Sequence, residues 1–167
     1  MKKTVVKIVT CLCILFAILN CIWFFYWHSF RSYKNAVGYE ESTDRYITVD
    51  SDGYRYAVFA PGYLRFQGNL TVGNAVWGEE TDECACSLII WPLFSGGYEY
   101  GITIYVPVST ESGYAYESYS FTMDENGEPL SEELSEDEIQ LLEDNTEKIE
   151  LVYQKAYEMW GIGVSNS

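Results

Sequence analysis

Hydrophobic positions fall into three regimes along this chain. From Ile8 to Trp27 they are almost continuous: IVTCLCILFAILNCIWFFYW holds no formal charge and only two strongly polar residues, Thr10 and Asn20. At about 1.5 Å per residue a helix of this length covers roughly 30 Å, the thickness of a hydrocarbon core. It also closes its own backbone hydrogen bonds where lipid offers no partner. Lys2, Lys3 and Lys7 precede the run, and His28, Arg31 and Lys34 follow it. Trp23, Tyr26 and Trp27 gather at the outer end, where amphipathic rings favour the interface, and Lys7 and Arg31 can snorkel to head groups. The pattern predicts residues 1–7 in the cytoplasm, a transmembrane anchor over 8–27 and a juxtamembrane linker over 28–44. A signal peptide has a shorter apolar region, about 7–15 residues, with a small-x-small site close behind. Here Ala36-Val37-Gly38 comes late, and Asn20 occupies the place before Cys21 where a lipoprotein signal carries a small residue. The amino side has the greater number of lysines, which favours a cytoplasmic amino terminus.

The second regime is one of short runs rich in Tyr, Val, Ile and Phe, broken by Gly, Asn and Asp, as in an antiparallel sheet. Candidate strands are 45–49, 54–60, 63–66, 70–77, 84–94, 98–108 and 113–123. Asp50-Ser51-Asp52-Gly53, Ser95-Gly96-Gly97 and Asp124-Glu125-Asn126-Gly127 read as turns, and 78–83 as an acidic loop. Cys84–Phe94 is the most apolar stretch of this part, consistent with a strand buried on both faces. From Tyr98 to Val108 apolar and polar residues alternate, placing Tyr98, Tyr100, Ile102, Ile104, Val106 and Val108 on one face.

The third regime has helical period. Ser135 and Glu138 form a capping box, with Leu134 and Ile139 placed as a hydrophobic staple. Ile139, Leu142, Ile149, Val152, Tyr153, Ala156 and Trp160 make one stripe. Asp144-Asn145-Thr146 interrupts it and can divide the helix in two. Gly161 and Gly163 end it. The expected fold is therefore α+β: an N-terminal transmembrane helix, then an antiparallel sheet of about six to seven strands (45–123) packed by a C-terminal helix (136–160). Residues 45–161 form an acidic extracytoplasmic domain, and 162–167 a tail.

Charge narrows the partners. Beyond residue 38 lie all 25 carboxylates and only five cations, Arg45, Arg55, Arg65, Lys148 and Lys155, a net −20. Nucleic acid needs cations to displace counterions from phosphate and is excluded as a partner. An anionic membrane surface is repelled for the same reason. Of five cysteines, Cys11, Cys13 and Cys21 lie in the apolar run, which leaves Cys84 and Cys86 and no disulfide scaffold. Two apart on a strand, these two share a face at about 6.5–7 Å, too far to bridge, and read as structural. No cofactor or metal is expected: the one histidine, His28, lies at the apolar boundary.

The candidate sites are weak. Asp50-x-Asp52-Gly53 and Asp124-x-Asn126-Gly127 look like the opening of a calcium loop but lack its later ligands, and Asp-Gly and Asn-Gly are ordinary turn residues. Tyr98, Tyr100, Tyr114 and Tyr116 fall on two strands expected to pair. They are either cross-strand packing or a stacking platform for sugar or peptide. A carboxylate pair such as Glu99 with Glu117 is conceivable for a glycosidase, but only at a set separation across a cleft. Without histidine in the domain there is no Ser-His or Cys-His arrangement. No catalytic residue is assigned. The leading expectation is a membrane-anchored, non-enzymatic binding or interaction module whose partners are the bilayer, through 8–27, and an envelope protein or glycan. The alternatives are a carboxylate-dependent cell-wall or glycan hydrolase and an accessory subunit of a membrane complex. The short single-span design points to a bacterial source.

Overall fold

A computed structural model describes residues 2–74, 83–110, 113–131 and 133–163. Its first helix is longer than the apolar run. Helix α1, Lys2–Val37, is one element of 36 residues, about 54 Å long, and is long and apolar enough to cross a membrane. Residues 3–19 are exposed all round. Further along, Tyr26, Phe30 and Val37 are buried and Tyr33 packs beside them. Their spacing of four, three and four puts all of them on one face of the helix. Residues 28–37, expected within a linker over 28–44, are thus helical, and Phe30, Tyr33 and Val37 among them pack into the core. Nothing in Ser29, Arg31, Ser32 or Lys34 breaks a helix, and it ends only at Gly38, whose φ of 85° closes the last turn.

The sheet has six strands in sequence order, all antiparallel: β1 Tyr46–Val49, β2 Tyr54–Phe59, β3 Asn69–Asn74, β4 Ala85–Pro92, β5 Tyr98–Thr110 and β6 Gly113–Met123. Each connection links strand neighbours, so the topology is a plain meander. The expected strand 63–66 does not form. Residues 61–68 are a loop in which Leu64 takes a left-handed φ of 55°. The expected strand 70–77 is described only as far as Asn74, and 75–77 with most of the loop 78–83 lie outside the described residues. β5 and β6 run on past the end of β4, from Tyr105 to Thr110 and from Gly113 to Ser118, as a two-stranded arm.

Alternation sorts the sheet into two faces. Tyr56, Val58, Leu70, Val72, Cys86, Leu88, Ile90, Tyr100, Ile102, Ile104, Phe121 and Met123 point to the covered face and are buried. The C-terminal layer is two helices, α2 Glu136–Asp144 and α3 Thr146–Trp160, divided at Asn145, whose buried side chain donates to the Leu141 carbonyl at 2.9 Å. The Ser135–Glu138 capping box forms in both directions. Helix α3 lies on β3 and β4, and the second half of α1 lies on β1 and β2 and touches α3. The cover is therefore shared between the two termini of the chain. At the seam, Phe30 fits a notch above Gly68: a Cβ there would sit 2.7 Å from the Phe30 ring and 2.8 Å from the Phe59 carbonyl oxygen.

One charged fastening ties α3 to the β1–β2 turn. Lys155 Nζ lies 2.5 Å from Asp52 and 3.3 Å from Asp50, over the ring of Tyr54. Asp50 also accepts Tyr56 Oη at 2.8 Å and the amides of Asp52 and Tyr54 at 2.9 Å. Burial pushes its carboxyl up, but those donors outweigh it and hold it below the usual aspartate range. Its hydrogen bond to Asp52 raises Lys155.

Phe30→Ala is expected to destabilise the folded domain by about 3–5 kcal/mol, whereas Phe25→Ala, at a position 71% exposed, leaves thermal unfolding in detergent unchanged. Asp50→Ala is expected to cost about 1–2 kcal/mol at pH 7. A depressed carboxyl contributes stability above its unfolded pKa and loses it as pH falls through the folded value. The gap between Asp50→Ala and the parent should therefore close in acid, below the ordinary aspartate range, when urea midpoints are compared across pH.

Candidate functional site

The four tyrosines do not form a platform. In the β5–β6 register Tyr100 faces Met123, while Tyr116 faces Pro107 and Tyr114 faces Ser109. Tyr98 and Tyr100 thus stand at the start of β5 on the covered face, with Tyr100 buried against Tyr153 at 5.7 Å between rings. Tyr116 belongs to the opposite face, and its partner position 107 lies about 23 Å along the strand from position 100. Tyr98 Oη lies 3.1 Å from Tyr33 Oη of α1, so it helps hold the first helix. The Tyr114 side chain is outside the described residues.

Glu99 and Glu117 are likewise kept apart. Glu99 faces Trp91, while Glu117 faces Val106 on the other side of the sheet. Seven residues along β5 make about 23 Å, against the roughly 5–9.5 Å a glycosidase pair needs. Both acidic turns use their aspartates internally. Asp50 is saturated as described, and Asp124 accepts the amides of Asn126 and Glu128 at 2.8 and 2.9 Å. Cys84 and Cys86 are free. Cys86 is buried on the covered face, and burial pushes its thiol up to about 11. Lys148 donates to the Cys84 carbonyl at 2.8 Å.

Two surfaces that sequence reasoning did not single out stand out in three dimensions. One is the uncovered face of the sheet. Alternation places small residues there, Ala57, Thr71, Gly73, Ser87, Gly101 and Thr103, with Phe59, Ile89 and Trp91 standing among them. Trp91 lies across Gly101, where a Cβ would come within 2.9 Å of the ring. A shallow groove of about 320 Å³ runs over β1 to β4, floored by Ala57, Gly73 and Ser87 and flanked by Arg45 and Arg55. No carboxylate among the described residues is in ion-pair contact with either arginine. Charge is segregated: 13 of the 25 acidic residues fall between Asp124 and Glu158, in the helical layer and the chain leading to it. The face of the sheet that the helices leave bare carries Arg45 and Arg55, with Glu99 beside Trp91 at its other end.

The other surface is an aromatic end against α1. Trp23 Nε1 donates to the Gly62 carbonyl at 2.8 Å, and Tyr63 Oη donates to Asn20 Oδ1 at 2.7 Å. The Tyr26 hydroxyl reaches the Pro92 carbonyl at 2.8 Å, and its ring meets Phe66 at 5.9 Å and Phe94 at 6.2 Å. Trp23 and Tyr26, expected as free interfacial rings, thus hold the domain to the helix. Beside them Tyr63 is 62% and Phe94 59% exposed. The signal was present in sequence as Tyr63, Phe66 and Phe94, but it was absorbed into strand propensity.

In a variant lacking Cys11, Cys13 and Cys21, Cys86 is expected to stay unlabelled by maleimide at pH 7 and to react only on unfolding; mass spectrometry of the adduct decides. No family model matches this chain, and no curated protein or solved structure matches it either, so its own chemistry carries the assignment.

Proposed function

We propose that the chain is a single-pass membrane protein whose acidic α+β domain stands outside the cytoplasm and acts as a non-enzymatic binding module. The observation that carries this is the double life of α1. Residues 3–19 are all exposed among the described residues, and an apolar surface of that kind is soluble in lipid and not in water. The same helix supplies Tyr26, Phe30 and Val37 to the core. A signal peptidase cutting at the Ala36-Val37-Gly38 stretch would remove three buried side chains from the folded domain. The anchor therefore stays attached to what it anchors.

The binding surface on this reading is the bare face of the sheet. Its groove joins an apolar floor to Arg45 and Arg55, a combination that suits an extended segment carrying carboxylates. Glu99 and Glu117, one example of a pair for the hydrolase alternative, stand on opposite sides of the sheet. The three amino-side lysines favour a cytoplasmic amino terminus.

The test has two readouts on the full chain in cells. The mature protein is expected to retain its first 37 residues by intact mass, and a cysteine at Ser42 is expected to react with a membrane-impermeant maleimide from outside. A photo-crosslinker at Val49, on the bare face and 54% exposed, is expected to give an adduct that Arg45→Glu with Arg55→Glu abolishes. A mature chain beginning near Gly38, or an adduct indifferent to both arginines, overturns the proposal.

A further inference from the structure

The level at which the domain grips α1 fixes where the domain sits. If the hydrocarbon core begins just past Lys7, about 30 Å of helix carries it to Trp27. The Tyr63–Asn20 hydrogen bond then lies seven residues, or about 10 Å, inside that boundary. If Lys7 snorkels by a full turn, the outer boundary falls no lower than Trp23, which is level with Gly62 and still beyond Asn20. A boundary at Asn20 would leave only about 18 Å of apolar helix after Lys7, far short of a bilayer, with Phe24, Phe25 and Trp27 standing in water.

The side chains at this end match that depth. Tyr63, Phe66 and Phe94 are the exposed aromatics of two neighbouring loops, and Phe66 and Phe94 touch at 6.0 Å between rings. Tyr63, with its polar tip, is a residue type that interfaces favour, and the wholly apolar Phe66 and Phe94 suit the acyl side of that boundary. The polar side chains of Asn20, Trp23 and Tyr63 are already paired at this depth. Asn20 Nδ2 donates to the Phe16 carbonyl at 2.8 Å while its Oδ1 accepts from Tyr63, and the indole of Trp23 takes the Gly62 carbonyl. Arg65, next in the loop, has no carboxylate in ion-pair contact among the described residues. It is placed to meet lipid phosphate.

We propose that the loops 61–67 and 93–97 form a lipid-binding foot: Tyr63, Phe66 and Phe94 insert into the outer leaflet beside α1 and seat the domain on the bilayer. This rests on the reading of α1 as a membrane span and goes beyond it, since a tether alone would leave the domain free of the surface. The occupant is the boundary between acyl chains and head groups of a neutral lipid.

The experiment uses the full chain with Cys11, Cys13, Cys21 and Cys84 replaced and Cys86 kept, reconstituted in phosphatidylcholine vesicles. An environment-sensitive NBD label is placed singly at Leu15, Ser42, Tyr63, Phe94 or Ser95, and a stoichiometry of one shows that Cys86 is still buried. Lipids carrying nitroxide at two depths on the acyl chain report penetration. The inference expects strong quenching and blue-shifted emission at 15 and 63, shallower quenching at 94 and 95, and none at 42. Quenching at 15 with 63, 94 and 95 behaving like 42 overturns the foot and leaves the span standing. No quenching at 15 overturns the span and the foot together. Ser95, an exposed turn residue, gives a position where the label displaces no packed side chain. Penetration seen only after anionic lipid is added would assign the contact to head-group charge and overturn the aromatic insertion.

Discussion

Phe30 over Gly68 is the contact on which this molecule depends. It is a fully buried aromatic ring, supplied by a helix whose residues 3–19 are exposed among the described residues, and it fits a space that only glycine leaves open. Without the α1 stripe the covered face of β1 and β2 would lose much of its lid, since α3 lies mainly on β3 and β4 and meets β2 through Trp160 against Tyr56. The sheet thus needs both ends of the chain. That requirement links the apolar N-terminal run, which looks like an appendage, to the stability of a domain that begins some twenty residues later.

Charge is organised around the same two layers. The helical side concentrates acid, with thirteen carboxylates from Asp124 to Glu158, and Lys155 draws α3 onto Asp50 and Asp52 of the β1–β2 turn. The bare face instead shows an apolar, small-residue surface edged by Arg45 and Arg55. A chain with a net charge of −15 repels most anions at long range, yet at short range this face offers them a pair of guanidinium groups.

Much of the fold could be read in advance where one local rule acted alone. The capping box at Ser135, the break at Asn145 and the alternation of Tyr98–Val108 each depend on neighbours a few residues away, and each appears as expected. The α1 stripe was harder. Within a run where every position is apolar, a buried face cannot be told from a lipid-facing one. Only Phe30, Tyr33 and Val37, continuing the four-three-four spacing among Ser29, Arg31, Ser32 and Lys34, carried the signal. The loop 61–68 misled through composition: Tyr63 and Phe66 are good strand formers, but Leu64 is held at positive φ. The tyrosine platform failed on register. Thr110 pairs with Gly113 and Tyr100 with Met123, so Tyr100 meets the far end of β6 and never Tyr114 or Tyr116.

The absence of any joint in α1 between Lys2 and Val37 has a mechanical consequence. A stiff rod long and apolar enough to cross a bilayer, ending as part of a folded body, would transmit rotation. If two such rods were to pair, or one were to turn against a neighbour, the groove at Arg45 and Arg55 would swing through the same angle at a constant height. Events among acyl chains would then be legible on the far side as a change in the direction that groove faces.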